Sequence, residues 1–350
     1  MDDVYKTLAS HLDNLPGGFP ATESGVELRI LKRLFSLREA EIAAGLSMML
    51  ESPADVAGRF GLPVAEMETI LARMSQKGLI LRSEKGGPKY MAAQFVVGIW
   101  EYHVNDLDKG LIDDFNEYVP ALMKTQLGLK TQQLRVIPVS QSISAEMHVM
   151  PYEQAEGIIR SQSKIVVAPC ICRKEHRLAG KGCDKPEETC LVFGGGAHYY
   201  EGNGIGRTIS QEEALGVLRL GMDAGLVLQP GNSKKPLNIC MCCGCCCQIL
   251  KNLKTLENPA DVVCSSFYAR VDPDACIACG LCAERCQMDA ITVTETATVD
   301  AKRCIGCGLC VPACELEAMV LCEKEASERW EPPANIVGTY INIARERGKI

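Results

Sequence analysis

Cys276-Ile277-Ala278-Cys279-Gly280-Leu281-Cys282-Ala283-Glu284-Arg285-Cys286 is followed by a second copy, Cys304-Ile305-Gly306-Cys307-Gly308-Leu309-Cys310-Val311-Pro312-Ala313-Cys314. The offset of 28 residues (276 to 304) also carries Ala290 onto Ala318 and Val293 onto Leu321, so the stretch is an internal repeat. Each copy places three cysteines two residues apart and a fourth after three more. That is the run whose thiolates ligate [4Fe–4S] clusters. A short loop wraps three thiolates around one face of a cubic core, and the fourth stands at the start of a helix.

Twenty cysteines in 350 residues is the unusual feature of the composition; hydrophobic content of 47%, charged content of 23% and aromatic content of 5% suit a folded, multidomain protein. Cysteines gather either in secreted disulfide scaffolds or in reduced, metal-loaded proteins. Asp2, Asp3, Lys6, His11 and Asp13 interrupt any apolar signal segment, and no cysteine precedes Cys170. The expectation is a cytoplasmic protein. No run approaches the length of a membrane-spanning helix, although docking at the periphery of a membrane complex stays compatible. A formal net charge of −7 argues against general nucleic-acid affinity.

Read in order, residues 1 to about 20 are a patternless lead-in, and the first unit spans 22–92. Val26, Ile30, Leu34 and Leu37 lie on one helical face, and a second helix follows to about Leu50. Ser52-Pro53 opens a third helix, Gly61-Leu62-Pro63 turns into a fourth ending at Gly78, and residues 79–91 read as a β-hairpin. This order resembles a winged helix-turn-helix domain, which implies DNA binding through the second helix of the pair. Glu66 and Glu68 stand at that helix's N-terminus, and residues 23–89 hold ten Lys or Arg against nine Asp or Glu. A protein-contacting wing is therefore preferred over DNA as the partner.

A helical connector spans 93–160, with helices expected at Phe95–Tyr102 and Leu107–Tyr118 and a strand at Leu134–Val139; His103 and His148 are read as structural. A central α/β cysteine-rich domain, 161–265, opens on the strand Ile165–Ala168. Cys170, Cys172, Cys183 and Cys190 follow within 21 residues, a density suited to a metal or cluster, with His176 and His198 as further possible donors. Gly194-Gly195-Gly196 and the glycines to Gly206 lack a dinucleotide or Walker pattern and read as a flexible turn. Cys240, Cys243 and Cys246 have the spacing of three cluster ligands, completed by Cys264 or one of the upstream four; Cys242, Cys245 and Cys247 stay unassigned. An iron–sulfur cluster is preferred in this region, with zinc as the alternative.

Residues 271–322, within a unit spanning 266–325, resemble a bacterial two-cluster [4Fe–4S] ferredoxin. The resemblance implies crossed ligation: Cys276, Cys279, Cys282 and Cys314 hold one cluster, and Cys304, Cys307, Cys310 and Cys286 the other. It also implies short strands at 290–293 and 318–321. The family places proline after its fourth cysteine, where this chain has Gln287 and Glu315. Residues 326–350 form a helical tail read as a packing clasp. As a whole the chain resembles, more loosely, winged-helix plus multi-cluster ferredoxin-like proteins of anaerobic bacteria. The fold class expected is α+β and multidomain. The function expected is electron transfer between redox partner proteins, with a redox-sensing transcription regulator and an oxidoreductase with a catalytic site among the central cysteines as the rival readings.

Overall fold

The computed structural model describes residues 2–350 and shows a mixed helical and sheet protein. Helix α1 (Asp2–Asn14) replaces the expected lead-in: Tyr5, Leu8 and Leu12 are buried and pack it on α2 (Val26–Leu34) and α3 (Leu37–Ala44). Polar residues between its apolar positions hid a one-sided stripe. Ser36 and Ser52 each close a capping box, with Glu39 and Asp55, and so start α3 and α4 (Pro53–Phe60). Next come α5 (Val64–Gln76) and the hairpin of β1 (Ile80–Ser83) and β2 (Lys89–Ala92).

The helix expected at Phe95–Tyr102 is reduced to one turn, α6 (Trp100–Tyr102). Side chains satisfy the preceding backbone instead: Gln133 Nε2 donates to Val96 O at 2.8 Å, and Gly98 N donates to a Glu101 carboxylate oxygen at 2.7 Å. Helix α7 (Lys109–Leu127) is longer than expected and stacks Phe115 on Trp100, ring centroids 3.6 Å apart. Leu134–Val139 is not a strand, because its amides go to different neighbours: Arg135 N to Pro230 O, Val136 N to Cys264 O and Val139 N to Cys307 O.

After α8 (Ala155–Arg160) the central unit is built on a five-stranded antiparallel sheet of order β5-β3-β4-β7-β6. Its strands are β3 (Ile165–Pro169), β4 (Glu188–Phe193), β5 (Arg207–Ile209), β6 (Val227–Pro230) and β7 (Asn238–Cys242). The helices α9 (Ile171–Leu178), α10 (Gly194–Gly202), α11 (Gln211–Asp223) and α12 (Gln248–Lys254) interleave with them. The glycine run expected as a flexible turn is the first turn of α10. Buried Ala197, Tyr199 and Tyr200 anchor that helix, and the Tyr199 hydroxyl contacts Ser75 O and Ile80 O, each at 3.0 Å. The hairpin unit is thereby fastened to the cysteine-rich unit.

The repeat region contains β8 (Phe267–Val271), α13 (Leu281–Arg285), β9 (Ile291–Val293), β10 (Ala297–Val299) and β11 (Met319–Glu323), paired as β8 with β11 and β9 with β10. Helix α14 (Ile336–Glu346) closes the chain against its beginning: the Arg347 guanidinium reaches Asp13 and the Leu15 carbonyl, and Lys349 reaches Asp13. Among the described residues no helix is long and apolar enough to cross a membrane.

Candidate metal centres

The duplicated sequence folds as a duplicated backbone. Ala278 and Gly306 both adopt a left-handed conformation (φ 56° and 70°), as do Asp289 and Glu317 (φ 52° and 54°), each pair 28 residues apart. The hydrogen bonds repeat as well. Ala297 N donates to Cys276 Sγ and Ala269 N to Cys304 Sγ, both at 3.3 Å, so each strand serves the first cysteine of the other copy. Amide donors of this kind stabilise a thiolate ligand and tune a cluster's potential.

Cys276, Cys279, Cys282 and Cys314 line one cavity of about 130 Å³. Cys286 lies among Cys304, Cys307 and Cys310 instead. Burial raises the pKa of those three thiols, Cys307 to about 12, and the charge of Cys286 raises them further. The two fourth cysteines are thus exchanged between copies. Two sets of four thiols fit two cubane clusters by donor type and number.

Residues 269–292 and 297–320 each match the 4Fe-4S binding domain family. The two matched segments hold all eight cysteines of the duplicated runs, with parts of β8 and β11. Comparison of the chain with curated proteins and with solved structures gave no match.

Outside the 4Fe-4S repeats, the ten cysteines from Cys170 to Cys247 separate into groups that cut across the sequence spacing. Cys183, Cys243, Cys245 and Cys246 have sulfurs all within 4.8 Å of one another. Cys183 Sγ is 4.0 Å from Cys243 and 3.7 Å from Cys246, and Cys245 is 3.8 Å from Cys246. Four thiolates about 2.3 Å from one tetrahedral ion sit about 3.8 Å apart. The group has the spacing of a single-ion site rather than of a cubane.

The other six form a chain of neighbouring thiols along one cavity: Cys170, Cys172, Cys247, Cys242, Cys240, Cys190. Neighbouring thiols hold Cys240 and Cys247 far below the ordinary thiol pKa, whereas Cys172, Cys190 and Cys242 beside them are driven up. Strand geometry explains why Cys240 leaves Cys243 and Cys246: Cys240 and Cys242 alternate with Met241 along β7 and so share one face, next to Cys190 on β4. The turn after β7 then carries Cys243 to Cys246 elsewhere. Cys264, expected as a possible fourth ligand, belongs to neither group; it is buried, contacting Lys130 O at 3.7 Å and Asn232 Nδ2 at 3.6 Å.

Arg173 stands between the two groups. Fully buried on α9, it donates to Met241 O at 2.9 Å, contacts Cys243 Sγ at 3.8 Å and bonds the Thr189 hydroxyl. Sequence reading passed over it, since one arginine in a charged helix carries no signal; its place beside Cys172 was the only clue.

All six chain thiols line a cavity of about 1560 Å³, whose wall includes the hairpin at Arg82 to Lys85, Glu101 of α6, and Tyr340 of α14. Burial pushes the Glu101 carboxyl up to about 8, so it holds a proton near neutral pH. Neither histidine of the region joins a thiol group: His176 Nδ1 meets Cys172 O at 2.9 Å and its Nε2 meets Lys251 Nζ at 2.9 Å, while His198 faces the cavity.

Proposed function

We propose that the chain is an electron-transfer protein whose 4Fe-4S repeats form a two-step wire from the protein interior to a docking face. Cys304, Cys307, Cys310 and Cys286 would hold the inner cluster, and Cys276, Cys279, Cys282 and Cys314 the outer one. Such clusters supply one-electron transfer with little rearrangement, because the thiolate cage is rigid.

The observation that carries this reading is the gradient of burial across the pair. Ile305 and Leu309 of the inner copy are 3% and 1% exposed and the Cys307 carbonyl accepts from Val139 N, inside the connector, whereas Cys279 is exposed. Around the outer set, Ile277, Leu281 and Leu316 are 69%, 41% and 52% exposed, with Asp272, Asp274, Glu284, Glu315 and Glu317 exposed beside them. An apolar centre with an acidic rim suits transient docking to a basic redox partner.

At the inner end, Gly244 of the four-thiol turn hydrogen-bonds Gln287, the residue after Cys286. We read the four-thiol group as a single-ion site, zinc or iron, that fixes this junction. The regulator reading has weaker support: Glu66 and Glu68 are exposed on α5 and the hairpin packs on α10, so the unit suits protein contact better than duplex DNA.

The test is docking-dependent electron transfer by the anaerobically purified full-length chain. Reduction by a low-potential donor should slow at high salt and in the double variant Asp272→Lys, Glu315→Lys, with cluster content unchanged. Equal rates in all conditions would remove the outer face as the electron port.

A further inference from the structure

The six-thiol chain is a poor fit to every simpler role. As packing residues, buried cysteines act as small hydrophobes and need no polar partner. Here a polar side chain is aimed at one of the six: Asn238 Nδ2 lies 3.5 Å from Cys240 Sγ. As a single-ion site the chain is too open. Among the described residues only Cys183, Cys243, Cys245 and Cys246 bring three or more sulfurs mutually within 4.8 Å. As one cubane it has two donors in excess.

We propose that Cys170, Cys172, Cys190, Cys240, Cys242 and Cys247 jointly ligate one polynuclear iron–sulfur centre larger than a cubane, facing the cavity of about 1560 Å³. The fold delivers the ligands from elements that differ in direction. Cys170 leaves the end of β3 and Cys172 rides on the first turn of α9; Cys190 lies on β4, Cys240 and Cys242 on β7, and Cys247 before α12. Ligands from a sheet face and from two helix starts enclose a broad core from several sides, whereas a C-x2-C loop wraps a small one. Arg173, beside both this chain and Cys243, supplies the one buried cation for a ligand set that carries up to six negative charges.

The proposal rests on the chain being an iron–sulfur protein, and its test separates the two. Iron, acid-labile sulfide and zinc are measured per chain on anaerobic full-length wild type and on Cys172→Ser and Cys242→Ser, which sit at different points of the thiol chain. Both variants should lose the same block, more than four irons and more than four sulfides, while the paramagnetic signal of the reduced repeat clusters stays intact. Loss of four or fewer irons, unequal loss in the two variants, or zinc in place of iron would overturn it. Absence of the repeat-cluster signal from wild type would instead sink the electron-transfer reading. Against misfolding of the variants, native alkylation of wild type with peptide mapping gives a second readout. All six thiols should resist until iron is stripped, and modification of any of them in the iron-loaded protein would contradict six-fold ligation.

Discussion

The amide of Gly244 donates to Gln287 Oε1 at 2.8 Å, which joins the turn between Cys243 and Cys245 to the residue following Cys286. A side chain on Gly244 would collide with the Gln287 carbonyl. Where the ferredoxin family has proline, this chain uses a side chain that only glutamine or a close analogue supplies. Replacing Gln287 by alanine strands a part-buried amide, at a cost of about 1–2 kcal/mol. The expected outcome is faster metal release from the four-thiol group to a chromogenic chelator, with repeat-cluster iron retained. A release rate equal to wild type would contradict the link.

The repeat demands a left-handed residue two positions after its first cysteine, and the copies meet that demand unequally. Ala278 accepts φ 56° with a Cβ, whereas Gly306 has the Phe267 carbonyl where a Cβ would go. Ala278→Gly should therefore be tolerated or stabilising by up to about 1 kcal/mol. Gly306→Ala should displace β8 and cost the inner cluster, read as loss of about half of the repeat-cluster iron. Equal behaviour of the two variants would argue against the asymmetry.

Arg173 binds Met241 O and lies against Cys243 Sγ from a site with no solvent access. Removing a buried cation that faces several thiolates typically costs about 3–5 kcal/mol. Arg173→Met should yield protein depleted in metal at the central cysteines, by iron and zinc analysis, with the repeat clusters still visible by paramagnetic resonance. Arg173→Lys should rescue little, because one ammonium cannot replace the guanidinium fork across Met241 and Thr189.

The chain ends are held by Asp13 with Arg347 and Lys349, at 2.8 and 2.9 Å. Burial opposes ionisation of Asp13, yet Lys349, the Phe19 amide and Arg347 outweigh it and hold the carboxyl below its ordinary 3.8. A depressed carboxylate pKa gives stability that is complete above the unfolded value and lost as pH falls through the folded one. Asp13→Asn should lower stability by about 1 kcal/mol at pH 7, given the partly exposed pair, and the gap from wild type should close below about pH 4. A gap that does not narrow as pH falls below about 4 would assign the effect to packing.

How much of this was legible follows the range of the interactions. The repeat at Cys276 and Cys304 announced its family because all eight of its cysteines lie within 39 residues of a regular pattern. Ser52 before Pro53 announced α4 for the same reason: a cap is local. The central groups were not legible as partitioned. Spacing alone joins Cys240 to Cys243 and Cys246, but pairing of β7 with β4 turns Cys240 toward Cys190, 50 positions earlier. One local signal was available and points the right way: Cys240-Met241-Cys242 has the period of a strand face, and Met241 packs oppositely, against Gly221. The cavity, enclosed by β1–β2 at one end of the chain and α14 at the other, had no sequence signature at all.

Reductive titration of the anaerobic full-length chain, followed by paramagnetic resonance, tests the central claim most directly. The two-step wire predicts uptake of two electrons into a pair of spin-coupled [4Fe–4S] centres, with Cys286→Ser abolishing the inner centre and Cys314→Ser the outer. Cys286→Ser instead removing the centre held by Cys276, Cys279 and Cys282, or a chain that takes up no electrons, would contradict it.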